Sequence, residues 1–297
     1  MPGHAFQRLL APAPRSAAGQ PDGRLRFLGT AGFELVAADQ SRLLLDPYLT
    51  RPGLLQTIFG RLAVNTDRLV TEIPRADAVL CGHSHYDHAL DAPDLARHSG
   101  CPLIGSQSTL NIGRAAGLPE SQLVDIESRA EAQGPELAVG SVRIGSSVAA
   151  ALPSAHGRVP PFGKVPLPGT IDRPPSWPPR VTELRHGPVY SWYLDLGDVR
   201  MLHVDSADYR LETFIDVQVD VLLLCAIGRQ YKQDYTSAIV RAVRPQVVIP
   251  CHWDDYTLPW GARPRQLPGC DVEAFNEEVR AAGSRAVVVG IGDRWNW

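Results

Sequence analysis

Short runs of apolar and β-branched residues, each bounded by glycine or polar residues, dominate the pattern along the chain. Runs of this length and composition are typical of β-strands. The first three follow one another closely and predict a meander, and the Gly140-Ser141 step predicts a later hairpin turn. The predicted strands span 25–28, 32–36, 43–46, 123–126, 136–139, 142–144, 148–150, 189–196, 199–204, 219–225, 246–252 and 285–290.

Helices are predicted between these groups of strands. The predicted helices span 93–98, 106–116, 236–243 and 272–282, and the second of them has apolar residues at loosely helical spacing. The third helix ends before a proline and the fourth before a glycine, which are residues that commonly terminate helices. Strands that arrive in groups, with helices between them in both halves of the chain, favour an α+β fold in which helices cover two packed sheets.

The segment 157–188 interrupts this pattern with nine prolines and almost no periodicity. It predicts an insertion without regular structure, and a loop of that length in a compact domain is more often functional than accidental. Our hypothesis is a semi-rigid lid over the site; a solvated surface loop is the alternative. The charged residues of the segment are mainly basic, so Lys164, Arg173 and His186 are candidate contacts to an anionic substrate.

Composition limits the classes of protein that fit. The 297 residues, 44% of them hydrophobic, provide a core for one domain, predicted over 24–297 after an irregular arm over 1–23. A net charge of −3 without a basic stripe disfavours a nucleic-acid partner. No apolar stretch approaches membrane-spanning length, so we expect no transmembrane segment and a cytoplasmic location. The five widely spaced cysteines predict no disulfide framework.

Candidate metal ligands are concentrated directly after an apolar, strand-like run over 76–81. His83, His85, Asp87 and His88 fall within six positions. Imidazole nitrogen and carboxylate oxygen are the usual ligands of zinc and similar divalent ions. In an extended chain the first two histidines project to the same side, whereas the aspartate and the third histidine lie beyond the turn. The arrangement suits two metal ions that share one loop; a histidine-rich surface turn is the alternative.

The His-x-His-x-Asp-His pattern of these four residues resembles the signature of the metallo-β-lactamase superfamily. The later landmarks of that family occur in the same order, as His156, Asp205 and His252, each at the end of an apolar run. Val204 stands where the family usually has glycine, so Asp208 is kept as an alternative to Asp205.

The resemblance implies a four-layer αββα sandwich with the metals where the loops of two sheets meet. The segments 28–33 and 44–48 also resemble one branch, which contains ascorbate-6-phosphate lactonase-like proteins and the phospholipase D that acts on N-acyl phosphatidylethanolamines. Two divalent ions per chain are implied, with zinc expected and manganese or iron as alternatives. The implied ligands are His83, His85 and His156 for one metal, Asp87, His88 and His252 for the second, and Asp205 as a bridge between them.

The function implied by this resemblance is hydrolysis by a metal-bridged hydroxide, with Asp87 and Asp205 as catalytic residues. The expected substrate is a small, anionic ester, lactone or phosphodiester. Two alternatives stay open: a di-iron oxidoreductase or oxygenase on the same fold, and a non-catalytic binding protein that metals stabilise. The pattern does not decide between monomer and oligomer.

Overall fold

Two seven-stranded β-sheets form the centre of the computed structural model, which describes residues 23–297. The predicted arm, apart from residue 23, lies outside the described residues. Six strands of the first sheet come from the N-terminal half of the chain. They are β1 (Arg24–Gly29), β2 (Gly32–Val36), β3 (Arg42–Leu45), β4 (Ala78–Leu80), β5 (Leu103–Gly105) and β6 (Leu123–Asp125).

The second sheet comes from residues 140–286, and its strands run in spatial order from the last to the first. Its members are β7 (Gly140–Ile144), β8 (Ser147–Pro153), β9 (Tyr190–Asp195), β10 (Arg200–Val204), β11 (Val221–Cys225), β12 (Val247–Cys251) and β13 (Arg285–Ala286). A final strand, β14 (Arg294–Asn296), returns to the first sheet and pairs antiparallel with β1.

Each sheet has an antiparallel half and a parallel half. In the first sheet β1, β2 and β3 pair antiparallel, whereas β3 to β6 pair parallel. In the second sheet β7 to β10 pair antiparallel, whereas β10 to β13 pair parallel. Every residue of β11 is buried, as its uninterrupted apolar sequence predicts for a strand covered on both faces.

Seven α-helices lie in the described part of the chain. They are α1 (Leu54–Phe59), α2 (Thr66–Glu72), α3 (Tyr86–Ala89), α4 (Ala92–Ser99), α5 (Gln107–Ala115), α6 (Tyr235–Val243) and α7 (Val272–Ala281). Short 3-10 turns span Glu120–Gln122, Ile126–Ser128, Val181–Glu183, Leu211–Phe214 and Arg229–Tyr231. None of the helices among residues 23–297 is both long and apolar enough to cross a membrane.

The core lies between the two sheets and beneath the helices. Across the sheet interface, the ring of Phe33 on β2 packs edge-on against His203 on β10, with centroids 5.6 Å apart. Leu95 of α4 and Leu110 of α5 belong to a separate buried cluster on the outer face of the first sheet. Phe275 of α7 packs with the second sheet. The layers are therefore helix, sheet, sheet and helix, which confirms the predicted αββα sandwich.

Two local predictions are wrong. Residues 136–139 form no strand, and the hairpin turn lies at Gly145-Ser146, between β7 and β8, not at Gly140-Ser141. Gly140 is instead the first residue of β7, where a Cβ atom would lie 1.7 Å from the carbonyl oxygen of Ile126. A close backbone approach, and not a turn, thus requires glycine at this position.

The proline-rich segment contains no α-helix or strand between 157 and 188, as predicted. An isolated bridge joins Val159 to Lys164, and the turn Val181–Glu183 is its one regular piece. The predicted strand over 285–290 is shorter than expected, because sheet pairing is restricted to β13.

Candidate metal centre

The loop after β4 carries the first group of candidate ligands. His83 and His85 lie in this loop, and Asp87 and His88 lie in the first turn of α3. Gly82 starts the loop, and its N–H group donates to Oδ1 of Asp46 at a distance of 2.7 Å. The ligands therefore follow directly from the end of a buried strand, as the sequence pattern predicts.

The other candidate ligands follow strands of the second sheet. His156 lies three positions after β8, Asp205 directly after β10, and His252 directly after β12. These strands run in the same direction, so their carboxyl ends lie at one edge of the sheet. Side chains that follow such ends commonly form the site of an α/β sheet.

The structure brings all seven predicted ligands together. Their donor atoms form three groups within which every pair of atoms lies within 4.8 Å. The groups are His83, His85 and His156; His83, His88 and Asp205; and Asp87, His88 and His252. Asp208, the alternative to Asp205, belongs to none of them, because it pairs with Lys232 instead.

Asp205 contacts two of the histidines, His83 and His88. Its Oδ2 atom is 2.6 Å from Nδ1 of His83 and 3.6 Å from Nδ1 of His88. On the far side of His88, the Oδ2 atom of Asp87 lies 3.8 Å from its Nε2 atom and 3.3 Å from Nε2 of His252. Asp205 therefore contacts one histidine from each of the two predicted ligand sets.

Asp46 is a further carboxylate of the centre that was not among the predicted site residues. Its Oδ2 atom lies 3.1 Å from Nδ1 of His88, while its Oδ1 atom accepts the Gly82 N–H. A carboxylate behind a ligating histidine fixes the orientation of the ring. Burial and the neighbouring charge of Asp205 raise the pKa of Asp46 well above its usual value. Its position at the end of the apolar run 43–46, like that of the other candidate ligands after their strands, could have identified it from the sequence.

The chemistry of these donors fits divalent cations. Burial lowers the pKa of His83 and His88 well below the usual value and that of His156 to about 3, so the imidazoles are neutral, which is the form that binds metal. Among the candidate ligands, three buried atoms have no hydrogen-bond partner within the described residues: Nε2 of His85, Oδ1 of Asp205 and Nδ1 of His252. Buried polar atoms are nearly always paired, so an unpaired atom on each of these three candidate ligands indicates a missing ligand.

A buried ion pair supports the His252 side of the centre. Nη2 of Arg51 lies 2.8 Å from Oδ2 of Asp254, and both side chains are almost completely buried. The Oδ1 atom of Asp254 accepts the N–H of Thr30 at 2.6 Å, and the carbonyl of Thr30 in turn accepts the N–H of His252. Thr30, Arg51 and His252 all have positive φ angles (54°, 45° and 53°), a strained backbone that commonly occurs at functional sites. These contacts join residues that lie far apart in the sequence, so no local pattern predicts them.

A pocket of about 130 Å³ opens above the centre, and His85, Asp87, His88, His156 and His252 line it. His186 lies beside it, because its ring stacks on His156 at 5.6 Å and meets His85 at 5.9 Å. Lys164 and Arg173 are exposed and do not line this pocket among the described residues. Lys164 nevertheless stands close to it, since its carbonyl accepts the N–H of Val159, a lining residue, at 3.1 Å.

Several proteins that this chain resembles in sequence are described as metal-dependent hydrolases. A metal-dependent hydrolase of Pyrobaculum arsenaticum is 26% identical over 271 residues, which cover 90% of this chain and 96% of that protein. A metal-dependent hydrolase of Anaeromyxobacter dehalogenans is 25% identical over 247 residues, which cover 82% of this chain and 78% of that protein.

Solved structures with the same fold include proteins of different activity. A metallo hydrolase of the archaeon Ignicoccus hospitalis matches with a TM-score of 0.59 at 15% identity, over 93% of this chain and 98% of that one. A diiron β-hydroxylase of Streptomyces venezuelae matches with a TM-score of 0.58 at 15% identity, over 97% of this chain and 55% of that one. At these identities the likeness shows the fold alone.

Membership of a family rests on a match to a family model. Residues 24–252 match the family model described as the β-lactamase superfamily domain, and this range contains all seven candidate ligands as well as Asp46. Together with the αββα sandwich, this match shows that the chain belongs to the metallo-β-lactamase superfamily.

Proposed function

We propose that this chain is a metal-dependent hydrolase that binds two divalent ions and cleaves a small ester, lactone or phosphodiester. The observation that carries the proposal is the position of Asp205, which contacts His83 of one ligand group and His88 of the other. The long matches to relatives named as metal-dependent hydrolases support the coarser part of it, the class of enzyme.

The side chains that would hold the metals fall into two sets. His83, His85 and His156 would hold one ion, and Asp87, His88 and His252 the other, with Asp205 shared. When bound, two such ions lower the pKa of water from about 16 to about 7, which makes hydroxide available at neutral pH. Zinc is the proposed metal, and manganese and iron suit the same nitrogen and oxygen donors.

Two carboxylates are proposed as the catalytic residues. Asp87 lines the pocket, so its carboxylate can accept a proton from the attacking water and return it to the leaving group. Asp205 is buried and contacts His83 and His88, so it is proposed to fix the positions of these two ligands relative to each other. The chain needs no serine or cysteine nucleophile for this chemistry.

Any anionic group of the substrate is proposed to lie at the rim of the pocket. Lys164 is exposed beside the lining residue Val159, and Arg173 is exposed in the same proline-rich segment. A cation at the rim attracts an anion from solvent without having to be desolvated. His186, stacked on His156, is the third proposed substrate contact. Lys164→Ala, Arg173→Ala and His186→Ala are each expected to raise KM for an anionic substrate.

Metal analysis tests the proposal directly. Protein purified without added metal is measured by plasma emission, together with Asp205→Ala and the matched control Asp208→Ala. We expect about two zinc or manganese ions in the wild type and in the control, and a loss in Asp205→Ala. Two iron ions with a visible absorption band would favour the di-iron alternative. A protein that takes up no metal after reconstitution would refute the proposal.

A further inference from the structure

Apart from the five candidate ligands that also line it, the wall of the pocket above the centre is apolar. Its eight other residues are six aliphatic side chains from three separate loops and the rings of Tyr86 and Tyr256. Among the described residues that line the pocket there is no lysine or arginine, and Asp87 is the one carboxylate. The aliphatic residues are Val159, Pro160, Pro166, Leu167, Ile227 and Leu267.

Backbone hydrogen bonds hold this wall in place. Leu167 accepts the N–H of His186 at 3.2 Å, and Leu267 donates its N–H to the carbonyl of Trp253 at 2.8 Å. Trp253 follows His252 and is completely buried. Ile227 is only 2% exposed. The prolines of the wall further restrict the backbone.

The energetics of such a wall select against a charged ligand. A charged group that leaves water without gaining a partner loses several kcal/mol, and the aliphatic side chains offer it no partner on their side of the pocket. An apolar cavity of about 150 Å³ holds one benzene molecule, and this pocket, at about 130 Å³, is slightly smaller. A group of only a few carbon atoms fits this space.

We infer that the part of the substrate inside the pocket is small, neutral and apolar, such as a short acyl chain or an alkyl-substituted lactone ring. The inference rests on the proposed function for the identity of the cleaved bond. Anionic groups of the substrate stay outside, at the rim that carries Lys164. A phosphodiester with two charged or bulky substituents fits this pocket poorly.

A matched pair of lactones tests the inference. γ-Valerolactone and 5-oxotetrahydrofuran-2-carboxylate have the same ring and the same ester bond, and they differ only by a methyl group against a carboxylate. Binding of each to the metal-free protein is measured by ligand-observed NMR, and kcat/KM is measured with the metal-loaded protein. We expect the methyl lactone to be favoured at least tenfold in both measurements. Equal or tighter binding of the carboxylate would overturn the inference.

Variants of Leu267 show whether the wall causes this preference. Leu267 is partly exposed, so Leu267→Lys can place its ammonium group at the pocket while its alkyl stem covers the same surface. We expect this variant to reduce the binding preference at least tenfold, and the volume-conserving Leu267→Met to keep it. Circular dichroism and metal content show that each variant is folded. A folded Lys variant with the wild-type preference would overturn the role of the wall.

The two proposals fail in different ways. If the metal-loaded protein hydrolyses neither lactone while the binding preference is as expected, the proposed function fails for this substrate class and the inference about the pocket stands. If both lactones are hydrolysed and the carboxylate is preferred, the pocket inference fails and the hydrolase assignment stands.

Discussion

The Nδ1 atom of His83 lies 2.6 Å from Oδ2 of Asp205, although 122 positions separate the two residues in the chain. His83 follows a strand of the first sheet, and Asp205 follows a strand of the second. The contact therefore joins the loops of the two sheets at the edge where the candidate ligands meet. The integrity of the centre consequently depends on how closely these two loops approach each other.

Gly82 allows this approach. A Cβ atom on Gly82 would lie 2.2 Å from Oδ2 of Asp205 and 3.0 Å from the carbonyl oxygen of Tyr190. We expect Gly82→Ala to displace the Asp205 carboxylate, to reduce metal binding as Asp205→Ala does, and to lower the free energy of unfolding by about 1–3 kcal/mol. Metal analysis and urea unfolding measure these effects.

Gly53→Ala is the matched control for this substitution. No atom lies within 4 Å of the Cβ position at Gly53, and its φ of −61° suits alanine. The control should keep the wild-type metal content and stability. Full metal content in Gly82→Ala would show that the loops move apart without loss of the site.

His156 and His186 lie side by side, but only His156 is a candidate metal ligand. His156 belongs to a ligand group with His83 and His85, whereas His186 stacks on His156 and belongs to no group among the described residues. We expect His156→Ala to lose one metal per chain and His186→Ala to keep both, because only the first removes a donor atom. Metal content of the two purified variants decides. Equal losses in both variants would make His186 a ligand and revise the proposed set.

The buried ion pair predicts an asymmetric effect on stability. Arg51→Met leaves the Asp254 carboxylate buried without its partner, which should lower the free energy of unfolding of the metal-free protein by about 3–5 kcal/mol. The double variant Arg51→Met/Asp254→Leu removes both charges and should recover part of this loss. Urea unfolding measures both effects.

Metal binding should not recover in the double variant. Asp254 also accepts the N–H of Thr30, whose carbonyl accepts the N–H of His252, so the loss of Asp254 loosens that ligand. A double variant with wild-type metal affinity would show that the ion pair does not position His252. A single variant as stable as the wild type would show that Asp254 finds another partner.

Much of this architecture was predictable because its signals are local. The apolar run of β11 and the end of α7 before Gly283 depend on neighbours in sequence, and both are found where predicted. The order of the ligands follows strand ends in the same way. The ligand loop 83–88 has four potential metal ligands within six positions, a density that core packing does not explain.

The features that were missed have no local signal in the sequence. Helix α1 was not predicted, and its apolar side chains Leu55 and Phe59 are 74% and 72% exposed, so it has no buried stripe that a periodic pattern would show. Strand β14 is three residues long and is defined by its pairing with β1, about 270 positions away. The apolar pocket wall likewise combines three loops that no local pattern connects.

A buried carboxyl group beneath the ligand helix predicts a pH dependence of stability. Asp91 is completely buried between α3 and α4 and accepts the backbone N–H groups of Leu49 and Thr50 at 2.6 and 2.7 Å. Burial raises its pKa from 3.8 to about 6, although these hydrogen bonds oppose the shift. Between these two values the folded protein keeps a proton that the unfolded chain has released.

The sign of the effect follows from this difference in bound protons. The contribution of Asp91 to stability is largest below pH 4, falls by about 3 kcal/mol as the pH rises to about 6, and is constant above that. Asp91→Asn carries a neutral group at every pH, so its stability relative to wild type should rise by about this amount between pH 4 and pH 6.5. Urea unfolding of the metal-free proteins at a series of pH values measures the difference.

Asp94→Asn serves as the control for this pH dependence, because Asp94 pairs with Arg97 on the same helix near the surface. Between pH 4 and pH 6.5 the free energy of unfolding of Asp91→Asn should rise relative to wild type, whereas that of Asp94→Asn should not. If the curves of wild type and Asp91→Asn run parallel from pH 4 to pH 6.5, Asp91 is ionised in the folded protein. The three hydrogen bonds from Leu49 and Thr50, including the 2.5 Å contact from Oγ1 of Thr50, then outweigh the loss of hydration.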